Sequence, residues 1–259
     1  MSIAFFDIDG TLVPKPSLEQ RFFRELRWQG KIPVRNYFAW IAEAVRLGKN
    51  DFRAGTQANK AYLRGVSAEI LAANGSVRRA SWLPQFFPAA VQRAWWHALR
   101  GDAVVLVSGT IAPLAQIVKF ALERELLWRG VDADISVLAT SLEITGARFT
   151  GRVMGDPMFA QEKSRAIKDF AEARGVSLAR CSAYGDSSLD RWMLAAVGQP
   201  FAVNPTGQLK RVARLRNWQV LTWSHQFSPH PPIRTDAGER SPNRALKWSS
   251  WKRKGPALP

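Results

Sequence analysis

The chain has 259 residues, is 46% hydrophobic and contains one cysteine, Cys181, so it can bury a sizeable core and forms no internal disulfide. No apolar run reaches the roughly eighteen residues of a membrane span, and Met1 leads straight into an apolar strand without a basic leader, which points to a cytoplasmic protein. The net charge of +16 favours anionic partners such as phosphate esters, nucleic acid or acidic lipid headgroups without choosing among them.

The first element is the apolar strand ending in Phe5-Phe6-Asp7-Ile8-Asp9-Gly10-Thr11. Strand side chains alternate, so Asp7 and Asp9 share a face, and Gly10 permits a tight turn behind them. Two carboxylates in one place repel unless a cation is shared. They are hard oxygen ligands of the kind Mg2+ takes, and a carboxylate held beside that ion can attack phosphorus. The local chemistry is therefore metal-assisted phosphoryl transfer.

From Ser17 to Arg100 apolar residues recur at spacings of three and four, as in Phe22, Phe23 and Leu26 or Tyr37, Ile41 and Ala44. This predicts an all-helical insertion, a cap with more arginine and lysine than acid, ahead of a second strand, Ala103 to Ser108. Helices and strands then alternate. Helices are expected at Pro113 to Trp128, Gln161 to Arg174, from Leu189 and after Thr206, with strands at Ile135 to Thr140, Ser182 to Gly185, Phe201 to Asn204 and Trp218 to Leu221. Such alternation predicts an α/β fold, a doubly wound parallel sheet covered by helices on both faces. Leu142 to Met154 alternates and contains glycines, which predicts a small antiparallel hairpin.

Beyond Trp223 six prolines and seven basic residues crowd a stretch with few aliphatics, which predicts a disordered tail over 224–259. Within it Arg244 to Lys254 interleaves Trp248 and Trp251 with cations, a pairing suited to an anionic membrane surface, and no specific nucleic acid is expected. The three histidines, His97, His225 and His230, lie near no other cluster of metal ligands, which argues against a zinc site or a histidine-based triad. The expected organisation is a discontinuous core of residues 1–16 and 101–223, a cap of 17–100 and the tail.

Three further stretches accompany the first motif in order: Val104-Val105-Leu106-Val107-Ser108-Gly109-Thr110, Lys163 within Gln161-Glu162-Lys163-Ser164, and Tyr184-Gly185-Asp186-Ser187-Ser188-Leu189-Asp190. Each alone has a plain structural use; Asp186, for example, suits a helix N-cap. Together they resemble the four motifs of the haloacid dehalogenase superfamily, subfamily IB, the phosphoserine-phosphatase-like branch, over about Ser2 to Trp223. That resemblance implies a Rossmann-like core and a Mg2+-dependent phosphomonoester hydrolase working through an aspartyl phosphate on a small metabolite. It assigns Asp7 as nucleophile and Asp9 as general acid and base. Mg2+ would be bound by Asp7, the Asp9 carbonyl and Asp186. Ser108 and Gly109 would hold the phosphoryl oxygens, Lys163 would offset charge, and Asp190, one helical turn past Asp186 on the same face, would support the metal shell or Lys163. Hydrolysis of a lipid phosphate at a membrane surface and transfer to a second alcohol are the alternatives, followed by a non-catalytic anion-binding protein. Where phosphoserine phosphatases carry a glutamate shortly after the first motif, this chain has Pro16, with Glu19 three residues on.

Overall fold

The computed structural model of the chain describes residues 2–47, 59–71 and 84–224. Residues 225–259, and with them His225, His230 and the basic Trp248 and Trp251 stretch, lie outside the described residues, as do 48–58 and 72–83 of the expected cap.

The strands are β1 (Ile3–Phe6), β2 (Ala103–Ile111), β3 (Ser136–Thr140), β4 (Leu142–Thr145), β5 (Arg148–Val153), β6 (Ser182–Gly185), β7 (Gln199–Val203) and β8 (Gln219–Leu221). Six of them form a sheet in the order β3-β2-β1-β6-β7-β8, with every pairing parallel. The helices are α1 (Leu18–Trp28), α2 (Val34–Leu47), α3 (Pro88–Leu99), α4 (Ala112–Trp128), α5 (Gln161–Glu172), α6 (Arg191–Ala196) and α7 (Gly207–Leu215).

β1 is apolar throughout because both its faces are covered. Ala4 and Phe6 join Leu106, Tyr184 and Phe201 in a core shared with Ala90, Val91 and Ala94 of α3 and Leu114, Val118 and Leu122 of α4. Ile3 and Phe5 face the other way, into a core with Ile167 and Ala171 of α5, Met193 of α6 and Leu209 of α7. The doubly wound sheet expected from the alternating pattern is therefore present, with α3 and α4 on one face and α5, α6 and α7 on the other.

Most expected boundaries fall within one or two residues of those observed, and two of the shifts have a clear local cause. β2 runs on to Ile111 rather than ending at Ser108, because its pairing with β3 slips between Ser108 and Ile111 and then resumes. The helix expected from Leu189 begins at Arg191, since Ser187 to Asp190 closes a turn in which the Asp190 amide donates to the Ser187 carbonyl at 3.0 Å. The antiparallel hairpin is β4 with β5. It also braces the helical insertion: the Gly65 amide donates to the Phe149 carbonyl at 2.7 Å, and the Phe149 amide to that of Val66 at 2.9 Å.

α1 is capped by Ser17, whose hydroxyl accepts from the Gln20 amide while the Gln20 side chain accepts from the Ser17 amide, each at 3.2 Å. Leu18, Phe22 and Leu26 bury one stripe of the helix.

His97, on α3, is a structural residue. Its Nδ1 lies 2.9 Å from Asp102 Oδ2 and its Nε2 2.8 Å from the Tyr184 hydroxyl, beneath rings of Phe6, Tyr184 and Phe201 stacked 4.4 and 4.7 Å apart. Burial lowers the imidazole pKa below its usual 6.5 despite the opposing pull of Asp102. The unfolded chain then binds this proton more readily than the fold, so the stability from neutral His97 is complete above about pH 6.5 and falls as pH drops below it. Denaturant unfolding at pH 7.5 and 5.5 should show a larger loss for the wild type than for His97→Gln; equal losses would dismiss this role.

Candidate active site

In a parallel sheet the carboxyl ends of the strands share one edge, and residues just beyond them meet there. Phe6 is level with Leu106 of β2 and Tyr184 of β6. Asp7 therefore emerges beside Val107 and Ser108 on one side and Gly185 and Asp186 on the other. Lys163 arrives from α5, where it shares with Ile167 and Ala171 the buried stripe at every fourth residue. A lysine on an apolar stripe must find acids, and this one does. Its Nζ is 2.5 Å from Asp7 Oδ1 and 2.6 Å from Asp190 Oδ1.

Asp190 has both oxygens engaged, because its Oδ2 accepts from the Ser187 amide at 2.9 Å and the Ser187 hydroxyl at 2.7 Å. Asp186 directs Oδ2 at Lys15 Nζ, 2.6 Å away. Oxygens of Asp7, Asp186 and Asp190, all buried, lie within 4.8 Å of one another. Asp9 is different: its Oδ1 accepts from the Leu18 amide at 2.7 Å, and its Oδ2 accepts from Thr110 Oγ1 at 2.6 Å. Its carboxyl is thus clamped between the start of α1 and β2, with both oxygens engaged. Ser108 is 2% exposed and its Oγ accepts from the Thr110 amide at 3.1 Å, which leaves the hydroxyl proton to donate. The Gly109 carbonyl accepts from Thr140 Oγ1 at 2.9 Å, and its Cα lies so close to the Phe159 ring that a side chain there would overlap it.

Charge follows this geometry. Burial, with Asp190 and Asp186 adding repulsion, raises the Asp7 carboxyl well above the usual value while Lys163 pulls it down. Burial and the Asp190 charge raise Asp186 to about 6 against the opposing influence of Lys15. Burial also raises Asp190, but Lys163 and Ser187 more than offset it and its pKa is lowered. Burial disfavours the Lys163 ammonium, yet Asp190 and Asp7 outweigh that and keep it charged. Burial raises Asp9 against the hydrogen bonds from Thr110 and Leu18.

The donor set fits a hard divalent cation. Asp7 Oδ2 and Asp186 Oδ1 remain for an ion once Lys163 and Lys15 have taken the other oxygens, whereas Asp190 has none to spare. The clustered, mutually repelling carboxylates supply the charge that such an ion neutralises. Gly10 makes room. It holds φ at +98°, and a Cβ on it would run into the Asp186 carboxylate. Gly10→Ala should lower stability by about 1–3 kcal/mol, from left-handed backbone strain and overpacking, and weaken Mg2+ binding as Asp186 is displaced. Denaturant unfolding and calorimetric Mg2+ titration check this; wild-type values in both would sink the cradle argument.

All the residues singled out in the sequence gather at this edge: Asp7, Asp9, Ser108, Gly109, Lys163, Asp186 and Asp190. Asp190 reaches it from a turn rather than from one helical turn past Asp186. Three partners had no assigned role. Thr110 shares a strand face with Ser108, so spacing of two was a usable signal; Ser187 and Lys15 had none.

The sequence profile of the haloacid dehalogenase-like hydrolases matches residues 4–195. The chain belongs to that family. A phosphoserine phosphatase of Mycobacterium tuberculosis is 30% identical over 224 residues, 84% of this chain and 69% of the relative. A histidinol-phosphatase of Neisseria meningitidis is 26% identical over 235 residues, covering 86% and 99%. Among solved structures, a Bordetella pertussis protein of unknown function superposes with a TM-score of 0.67 at 26% identity, covering 85% of this chain and 97% of that one. This haloacid dehalogenase-like hydrolase is a phosphatase of the phosphoserine-phosphatase-like branch, as the motif order implied. No helix among its described residues is long and apolar enough to cross a membrane.

Proposed function

We propose that the chain is a Mg2+-dependent phosphomonoester hydrolase that acts through an aspartyl phosphate on Asp7, with a small phosphorylated metabolite as substrate. The observation that carries this reading is the division of labour between two acids two residues apart. Asp7 faces Lys163 at 2.5 Å inside the carboxylate cluster, while Asp9 is held off it by Thr110 and the Leu18 amide. A nucleophile beside a cation and an acid with a raised pKa are the two groups that ester cleavage needs.

In the first step an Asp7 oxygen attacks phosphorus, the bond to the ester oxygen breaks, and Asp9 gives its proton to the departing alkoxide. In the second, Asp9 takes a proton from water, the water oxygen attacks phosphorus, and the bond to Asp7 breaks to release inorganic phosphate. The Ser108 hydroxyl and Gly109 amide would hold the transferring oxygens, and Lys163 would keep Asp7 ionised. Asp7, the Asp9 carbonyl and Asp186 would bind Mg2+, which neutralises charge on the phosphoryl oxygens when bound. Asp190 serves this site by orienting Lys163.

We assign α1, α2 and the turns up to Leu71 to the cap. α3 goes with the core because it packs on β2 and α4, so the cap ends before Arg100.

Hydrolysis of p-nitrophenyl phosphate should require Mg2+ and stop with EDTA. Asp9→Asn lacks the base for the second step, so on single turnover with labelled p-nitrophenyl phosphate, whose leaving group departs without a proton, it should accumulate protein-bound phosphate that hydroxylamine releases. If neither Mg2+-dependent hydrolysis nor trapped label is observed, the proposal is refuted.

A further inference from the structure

The residues around the mouth of the site say something about the part of the substrate that is not phosphate. Lys15 lies in the loop that leaves the first motif. Its side chain is 57% exposed, yet its Nζ reaches Asp186 Oδ2 at 2.6 Å, so it spans from solvent to the carboxylate cluster. The loop is fastened on both sides of it. The Arg21 guanidinium donates through Nε to the Pro16 carbonyl at 2.9 Å and through a terminal nitrogen to the Pro14 carbonyl. Arg21 is also close enough to Asp9 and Arg24 to feel both charges. Two cations therefore stand at the approach to Asp7 and Asp9.

The acid nearest to Lys15 in sequence is already occupied. Glu19, in the first turn of α1, receives Lys60 Nζ on both oxygens, at 2.6 and 2.7 Å, and the Tyr62 hydroxyl at 2.8 Å. Lys60 is 3% exposed, so this is a buried, hydrogen-bonded ion pair that links α1 to the turn at Lys60 and Tyr62 rather than a carboxylate waiting for a ligand. An ammonium on the substrate would meet Lys15 and Arg21 with no free acid from Glu19 to receive it.

We propose that Lys15, on a loop positioned by Arg21, selects phosphomonoesters whose organic part carries a second anionic group, such as a carboxylate, and disfavours those that carry an amine. This rests on the proposed phosphomonoester hydrolase activity and narrows its substrate class. The physical basis is a charge at short range near a protein surface. A divalent ion bound to Asp186 would repel the lysine ammonium, and the half-exposed stem would let it turn to the substrate.

The test uses three esters of similar size that differ in tail charge: phosphoglycolate, ethyl phosphate and phosphoethanolamine. The full chain should give its highest kcat/KM with phosphoglycolate and its lowest with phosphoethanolamine. In Lys15→Gln the ratio of kcat/KM for phosphoglycolate to that for phosphoethanolamine should fall about tenfold, Lys15→Arg should retain it, and raising the salt concentration should compress it. A ratio in Lys15→Gln within twofold of the wild type overturns the inference. So does an equal loss on all three esters, which would make Lys15 a support for Asp186. Hydrolysis of p-nitrophenyl phosphate with either result leaves the parent activity standing; no hydrolysis of any ester removes both.

Discussion

Asp7→Asn is expected to lower kcat by about 10⁴-fold or more, because the amide cannot form the phosphoenzyme that splits the reaction into two steps. The protein should nevertheless remain folded. In the fold the Asp7 carboxyl is raised well above its usual value, first by burial and then by Asp190 and Asp186. A carboxyl with a raised native pKa contributes stability at low pH that is lost as pH rises through that value. At pH 7.5 without divalent ions the wild type therefore carries a cost that asparagine, neutral at every pH, does not. Asparagine also keeps an oxygen for Lys163. Thermal unfolding in EDTA should show Asp7→Asn at least as stable as the wild type, and Mg2+ should raise the wild-type melting temperature more than that of the variant. Measurable turnover above about one thousandth of wild type would remove Asp7 as nucleophile.

Lys163→Met should have the largest effect on stability. Methionine matches the length of lysine but leaves Asp7 and Asp190 buried and facing each other without the cation that lies 2.5 and 2.6 Å from them. Removing one partner from a buried ion pair costs about 3–5 kcal/mol, on the order of 10 °C in melting temperature for a chain of this size. Two readouts separate this from lost packing. Lowering the pH toward 5 should restore part of the deficit, since the unpaired carboxyls then take up protons more readily in the fold than in the unfolded chain. Adding Asp190→Asn to Lys163→Met should restore part of it too, as expected of groups in one network. A melting temperature within a degree or two of wild type would show that Lys163 is not what holds the cluster together.

The limits of reading the chain are visible in particular residues. β1 with Asp7 and Asp9, β2 with Ser108, α5 with Lys163 and β6 with Asp186 could all be located in advance, because strand alternation, helical spacing and motif order are local patterns. The hold of Thr110 on Asp9 spans 101 residues, and the pairing of Lys60 with Glu19 spans 41. No spacing rule connects such pairs. His97 looked like an isolated histidine and proved to be fixed between Asp102 and Tyr184. Asp190 was expected a helical turn beyond Asp186, but the Ser187 hydrogen bonds close a turn there first.

By itself the amino-acid order determined which segments become strands and helices, that the sheet is parallel, and which acids and which lysine gather at its edge. Those outcomes follow from periodicity and from the rule that parallel strands bring their carboxyl ends to one edge. Only the folded chain decided how charge is shared there: Asp9 clamped and apart, Asp190 spent on Lys163 and Ser187, Glu19 neutralised by Lys60, and Lys15 left at the mouth. Side-chain pairing depends on distances of a few ångströms between segments far apart in sequence, and packing in three dimensions sets those distances.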